Sequence, residues 1–151
     1  MSTAVRFASE ADLDALTHLK VEWSQLPAPA SEDALSALKA ELAQWLIPQG
    51  TAVCAVADTG NDLVGMAWLV LYPRTPDIDS LHRWSGDIQS VYVKPDYRTR
   101  GLGAELVSLL VQEAQQRGAS HLTVSANDAA LNLYENLGFK ASPLALVRRL
   151  D

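Results

Sequence analysis

The segment from Gly86 to Gly118, GDIQSVYVKPDYRTRGLGAELVSLLVQEAQQRG, limits what this chain can fold into more than any other stretch. Ile88, Val91, Tyr92 and Val93 make a β-branched and aromatic run that predicts a strand, and Pro95 stops it because proline cannot donate to a ladder. A short loop rich in Arg and Gly follows. Leu102, Leu106, Leu109 and Leu110 then fall on one helical stripe, with Glu105, Ser108, Gln112 and Gln116 on the opposite face. Gly118 stands where a helix C-cap glycine belongs.

The loop Arg98-Thr99-Arg100-Gly101-Leu102-Gly103-Ala104 sits where a helix leaves backbone N–H groups without intrahelical partners. Such an end favours anions, with about 0.3–1 kcal/mol per charge from the helix dipole. Glycine lets a ligand approach the backbone closely, and arginine adds forked, permanently charged donors. A phosphate or pyrophosphate is the expected ligand. Two common phosphate loops do not fit: Gly101 and Gly103 are followed by Glu105 and Leu106, so there is no Gly-x-Gly-x-x-Gly, and no Gly-Lys-Ser/Thr is present.

Around this segment the chain reads as alternating helices and strands. Thr3 to Phe7 predicts a short strand, and Ser9-Glu10-Ala11-Asp12 a capping-box-like helix start. Leu13, Leu16, Leu19, Trp23 and Leu26 supply the apolar side of that helix. Pro27-Ala28-Pro29-Ala30 breaks it, and Ser31 can cap a second helix with Leu35, Leu38, Leu42, Trp45 and Leu46 on one stripe. Thr51 to Ala57 and Leu63 to Tyr72 are apolar on both faces, which predicts central strands, joined by the turn Thr59-Gly60-Asn61-Asp62. Pro73 to Ser85 reads as a loop longer than a hairpin connection needs. His121 to Ser125 predicts a strand, Asn127 or Asp128 can cap a short helix ending at Gly138, and Leu144 to Leu150 predicts a closing strand entered at Pro143.

With 151 residues and 48% hydrophobic content, the chain suits one domain spanning 1–151 with a sizeable core. No apolar run reaches the roughly 18 residues of a membrane span, and the N-terminus lacks a basic region followed by an apolar one, so the expectation is a cytoplasmic protein. A net charge of −6 argues against general nucleic-acid binding and suits cationic acceptors. Cys54, the single cysteine, lies in an apolar strand and reads as a small core residue rather than a nucleophile.

The order strand, Arg98-x-x-Gly101-x-Gly103, helix resembles the acyl-CoA-binding segment of the GNAT superfamily of N-acetyltransferases, whose signature is Gln/Arg-x-x-Gly-x-Gly/Ala. A second segment, Asn127-Asp128-Ala129-Ala130-Leu131-Asn132-Leu133-Tyr134-Glu135-Asn136-Leu137-Gly138-Phe139, is similar to that family's Asn-x-x-Ala-x-x-x-Tyr-x-x-x-Gly-Phe. The resemblance implies an α/β fold (α+β mixed sheet) of the acyl-CoA N-acyltransferase type: a central mixed β-sheet with helices on both faces. It implies acetyl-CoA as co-substrate with no metal, and an acceptor amine on a small molecule or peptide. It leaves room for a homodimer.

Carried over residue by residue, the resemblance implies that the Arg98, Thr99, Arg100, Gly101, Leu102, Gly103 and Ala104 backbone holds the pyrophosphate. Val91, Tyr92 and Val93 lie along the pantetheine arm, with the Val93 amide as oxyanion donor. Asn127 and Asn132 are polar contacts, and Asn127 also suits an N-cap. Tyr134 corresponds to the residue that protonates the departing thiolate, a feasible role for a phenol that stays protonated at neutral pH; it also lies at helical spacing with Ala130 and Leu137, as a core tyrosine would. Asp87 aligns with an acidic position and could serve as base through water, with His82 as an alternative. Trp23, Trp84, Asp77 and Asp79 could bind an amine by cation–π and ion-pair contacts. Gln89, at a position that is acidic in some relatives, favours the rival reading of a non-catalytic acyl-CoA-binding module.

Overall fold

The structure, a computed structural model, describes residues 2–150. Five strands, β1 (Ala4–Phe7), β2 (Ala52–Asp58), β3 (Leu63–Arg74), β4 (Arg83–Val93) and β5 (Ala119–Val124), lie side by side in chain order. The first three junctions are antiparallel and β4–β5 is parallel, so the sheet is mixed. A parallel neighbour requires a crossover, which α3 (Leu102–Gln116) supplies.

Burial follows the pattern of the sequence. Central β2 and β3 are covered on both faces. On one face, Ala55, Ala57, Ala67 and Leu69 pack against Leu102, Leu106, Val107 and Leu110 of α3. On the other, Cys54, Val56, Met66 and Trp68 pack against Leu16 and Leu19 of α1 (Leu13–Ser24) and Leu42 of α2 (Glu32–Trp45). A short helix, α4 (Leu131–Asn136), follows β5 on the α3 side and sends Tyr134 into that first cluster. Close packing favours glycine at one position: a Cβ on Gly86 would lie 2.7 Å from Leu122 Cδ2 and 2.8 Å from Leu69 Cδ1, so both leucines would have to shift. No described helix is long and apolar enough to cross a membrane.

Two expectations are corrected. The loop after β3 is shorter than Pro73 to Ser85, because β3 runs on to Arg74 and β4 begins at Arg83. Pro73 pairs with Trp84, whereas β2 pairs with β3 only as far as Val70, so the missing proline N–H falls on an edge with no partner. Leu144 to Leu150 is not a strand: Ala145 N–H closes a turn onto the Ser142 carbonyl at 3.2 Å beside Pro143. The chain beyond runs off the sheet, with Leu144, Leu146 and Val147 at 89%, 90% and 94% exposure. Strand-forming residues without a neighbouring edge to pair with do not make a strand.

Candidate active site

The site begins with an irregularity in β4. Gln89 stands opposite Trp68 and Tyr92 opposite Met66, so Ser90 and Val91 together oppose Ala67 alone. Ser90 takes φ 52°, and the result is a β-bulge. Strict alternation would put Val91 and Val93 on the face of Asp87 and Gln89. The extra residue moves them to the face of Ile88 and α3 instead, and turns Tyr92 toward the α1 side.

The bulge coincides with a split in the sheet. The parallel ladder between β4 and β5 ends at Ile88 and Val124, which leaves the far part of β4 with an open edge. Lys94 N–H donates to the Val64 carbonyl at 2.8 Å on the β3 side, so by alternation the Val93 amide faces the opening. The Val93 carbonyl is there too, accepting from Arg98 Nε at 2.8 Å.

Beyond β4, Thr99 at φ 65° and Gly101 at φ 79° bend the chain into α3. Glu105 N–H is bonded to the Gly101 carbonyl at 3.1 Å, so the amides of Leu102, Gly103 and Ala104, ahead of it, have no intrahelical acceptor. They open onto a cavity of about 430 Å³ walled by Val91 and Val93, by the loop, and by Asn127, Ala129, Ala130 and Leu133. A Cβ on Gly103 would meet Leu133 Cδ1 at 3.1 Å, so a side chain there would crowd the cavity mouth. This cradle fits the diphosphate of an acyl-CoA.

A second cavity, about 190 Å³, lies in the split between β4 and β5. Trp23, Ser90, Ser125 and Tyr134 line it, and it shares Val91, Asn127 and Ala130 with the first. Tyr134 is 5% exposed and its ring meets Phe139 edge-on at 5.7 Å. Its hydroxyl makes no hydrogen bond to a described residue, and burial pushes its pKa up, so it holds its proton through neutral pH.

Of the residues expected to contact the donor, Val91, Val93, Arg98, Thr99, Gly101, Leu102, Gly103, Ala104 and Asn127 converge on the larger cavity. Tyr92, Arg100 and Asn132 do not line it. The Tyr92 hydroxyl donates to Glu22 at 3.3 Å, Arg100 reaches the Asp96 carbonyl at 3.1 Å and lies 5.0 Å from the Tyr97 ring centre, and Asn132 is exposed on α4. Asn127 does cap the turn before α4, accepting from Ala130 N–H at 2.9 Å, while still lining both cavities.

Asp87 lies outside both linings, with its carboxylate held by Thr123 Oγ1 and by Gln89 Nε2 at 2.9 Å. Among the four residues expected at the acceptor, Trp23 alone reaches the smaller cavity. Trp84 pairs with Pro73 and Ala119 at the far end of β4, Asp77 is bound to Arg83 at 2.9 Å, and Asp79 is exposed in the same loop as His82. Cys54 is buried beneath α1, and burial pushes its thiol far above the range of a nucleophile. Tyr97, Ala129, Ala130 and Leu133 were not expected in the wall. Ala130 and Leu133 carried a signal, since they neighbour Tyr134 on one helical stretch.

Residues 14–139 match the model of the acetyltransferase (GNAT) family. The chain belongs to the acetyltransferase (GNAT) family. It is 28% identical over 156 aligned residues to an L-methionine sulfoximine/L-methionine sulfone acetyltransferase of Pseudomonas paraeruginosa, covering 94% of this chain and 83% of that one. It is 37% identical over 62 residues to GCN5-related N-acetyltransferase 2, chloroplastic, of Arabidopsis thaliana, covering 41% of this chain and only 24% of that longer protein. In fold it is similar to a predicted acetyltransferase of Clostridium acetobutylicum solved with acetyl-CoA, at TM-score 0.79 and 19% identity over 98% of this chain and 96% of that one. As a GNAT member the chain is an N-acetyltransferase, built on the mixed sheet with helices on both faces that its relatives share.

Proposed function

We propose that this GNAT protein moves an acetyl group from acetyl-CoA directly to a primary amine of a small molecule or peptide, with donor and acceptor bound together. The observation that carries this reading is the meeting of two cavities at Val91, Asn127 and Ala130, one ending in unpaired helix amides and the other walled by Tyr134. One cavity suits an anionic donor and the other a small acceptor, with their junction as the place of transfer.

Acetyl-CoA, when bound, supplies the thioester carbonyl and the leaving thiolate. The chain's own residues do the rest. The amides of Leu102, Gly103 and Ala104 and the α3 dipole hold the diphosphate. The open edge of β4 at Val91 and Val93 binds an extended arm as a strand would, and the Val93 N–H donates to the charge that develops on the carbonyl oxygen. The new C–N bond forms as the C–S bond breaks, the amine proton passes to solvent, and Tyr134 gives its proton to the thiolate. Asp87, outside the cavity wall, would draw the amine proton only through water. A buried Cys54 leaves the direct route in place of an acetyl-enzyme.

Thiol release from acetyl-CoA, measured across small amines, amino acids, aminoglycosides, polyamines and peptide N-termini, tests the reading. Amine-dependent release with a mass-verified N-acetyl product is expected. CoA binding without release on any amine would leave only an acyl-CoA-binding module.

A further inference from the structure

Lys20 occupies an unusual position for a cation. It is half-buried on α1, its Nζ donates to Ser90 Oγ at 2.6 Å, and it lies 5.0 Å from the Trp23 ring centre and 5.8 Å from that of Trp68. Ser90 and Trp23 are walls of the smaller cavity, so Lys20 stands directly behind the acceptor site. No carboxylate neutralises it: none of the ion pairs among the described residues includes Lys20. The acids nearest along the chain and on β4 are committed elsewhere. Glu22 pairs with Lys94 at 3.6 Å and takes the Tyr92 hydroxyl, and Asp87 is held by Gln89 and Thr123.

An ammonium withdrawn from water in a protein of net charge −6, with 18 acidic residues to choose from, is costly unless something anionic meets it. Burial already pulls the Lys20 pKa down, as expected where no counter-charge compensates. The surroundings have donors to spare and few acceptors. Ser90 spends its oxygen on Lys20 and keeps its O–H free to donate, and the buried indole N–H of Trp68 has no acceptor.

Resting on the transferase reading above, we propose that the acceptor is an amino acid, an amine with a carboxylate close to its nucleophilic nitrogen, and that the Ser90 hydroxyl, backed by the Lys20 charge, binds that carboxylate. A hydroxyl in the wall of a cavity of about 190 Å³, with a single ammonium bonded to its oxygen from behind, suits a carboxylate. A phosphate dianion is more often met by forked arginines. Lys20 therefore decides specificity while Tyr134 handles the thiolate. Its position beside the bulge fixes where the carboxylate sits and so turns the amine toward the junction of the two cavities.

The test uses the full chain, wild type and Lys20→Met, with acetyl-CoA. The acceptors are the common L-amino acids, the amide and the decarboxylated amine of each one used, and glucosamine 6-phosphate. In the wild type an amino acid should exceed its amide and its decarboxylated amine in kcat/KM by about 10- to 100-fold, the range for losing a charged hydrogen bond. Lys20→Met should erase that preference, chiefly by raising the KM for the amino acid. Lys20→Arg should restore part of it. Equal rates on the decarboxylated amines, a preference that survives in Lys20→Met, or use of the sugar phosphate alone would overturn the proposal. Calorimetry of amino acids with wild-type and Lys20→Met protein, free and loaded with CoA, keeps the two readings apart. Failure to bind CoA would sink the transferase reading, whereas failure of the wild type to bind any amino acid in either state would sink the role of Lys20.

Discussion

Gly103 and Leu133 face each other across the mouth of the diphosphate cradle, so near that a Cβ on Gly103 would lie 3.1 Å from Leu133 Cδ1. The first turn of α3 and the side of α4 thereby lie so close that any side chain at position 103 would push Leu133 aside by a few tenths of an ångström. The amides ahead of Glu105 stay open to a ligand as a result.

Gly103→Glu should abolish CoA binding, since it places both bulk and a negative charge against the diphosphate at the positive end of α3. Gly103→Ala, which adds only the crowding with Leu133, should weaken binding by a smaller factor. Calorimetry with CoA on the folded variants checks both, and unchanged affinity for Gly103→Glu would remove the cradle from the account.

Tyr134→Phe separates a proton donor from a core aromatic. The ring keeps its edge-on contact with Phe139, and the hydroxyl gives up no hydrogen bond to a described residue. Melting temperature and CoA affinity should hold, while turnover falls by about 10²–10⁴-fold, the range for losing a general acid. Wild-type turnover on a good acceptor would end the catalytic role of Tyr134.

Asp12 anchors the start of α1 and should make stability depend on pH. It is 8% exposed and accepts from Arg6 Nη1 and Nη2 and from Ser9 N–H, each at 2.8 Å. The Arg6 guanidinium holds its carboxyl below the usual range; burial opposes that effect, and the Ser9 amide reinforces it. A carboxyl depressed in the folded state stabilises fully above its unfolded pKa of about 3.9, and that contribution is lost as pH falls through the folded value. Asp12→Asn should therefore cost about 2 kcal/mol at neutral pH, with the gap to wild type closing below about pH 4. Urea melts of both proteins at pH 7 and pH 3 measure the two gaps, and an equal gap at both would show that the ion pair is not its source.

The frame around the site could be read from residue types, because the signals were local. Alternation, helical stripes, caps and two spaced motifs placed β4, α3, Asn127 and Tyr134 on the right elements. The features that shape the acceptor side are not local. The bulge at Ser90 exists only in the register of β4 against β3, so nothing in Gln89-Ser90-Val91 announces that Val91 changes face. Lys20 reads as one more polar residue on an amphipathic helix until Ser90, Trp23 and Trp68 are brought around it. Asp77, Asp79 and Trp84 had suitable chemistry for an amine, but the loop before β4 and the first residues of β4 hold them at the end of that strand away from the two cavities. The same gap between local pattern and available partner explains Leu144 to Leu150, where strand-forming residues meet no sheet.

The stopping of the β4–β5 ladder at Ile88 and Val124 has a thermal consequence. Beyond it, Tyr134 rests on a helix of only 6 residues and Asn127 caps the single turn leading into it, well below the length of about 12–15 at which an isolated helix is even marginal in water. That helix depends on side-chain contacts such as Tyr134 with Phe139 and Leu133 with Gly103. Opening this corner would leave the ladders of the sheet paired while dismantling the wall common to both cavities. Heat should therefore silence the enzyme several degrees before the sheet melts, and a bound donor, by tying β4 to this corner, should draw the two temperatures together.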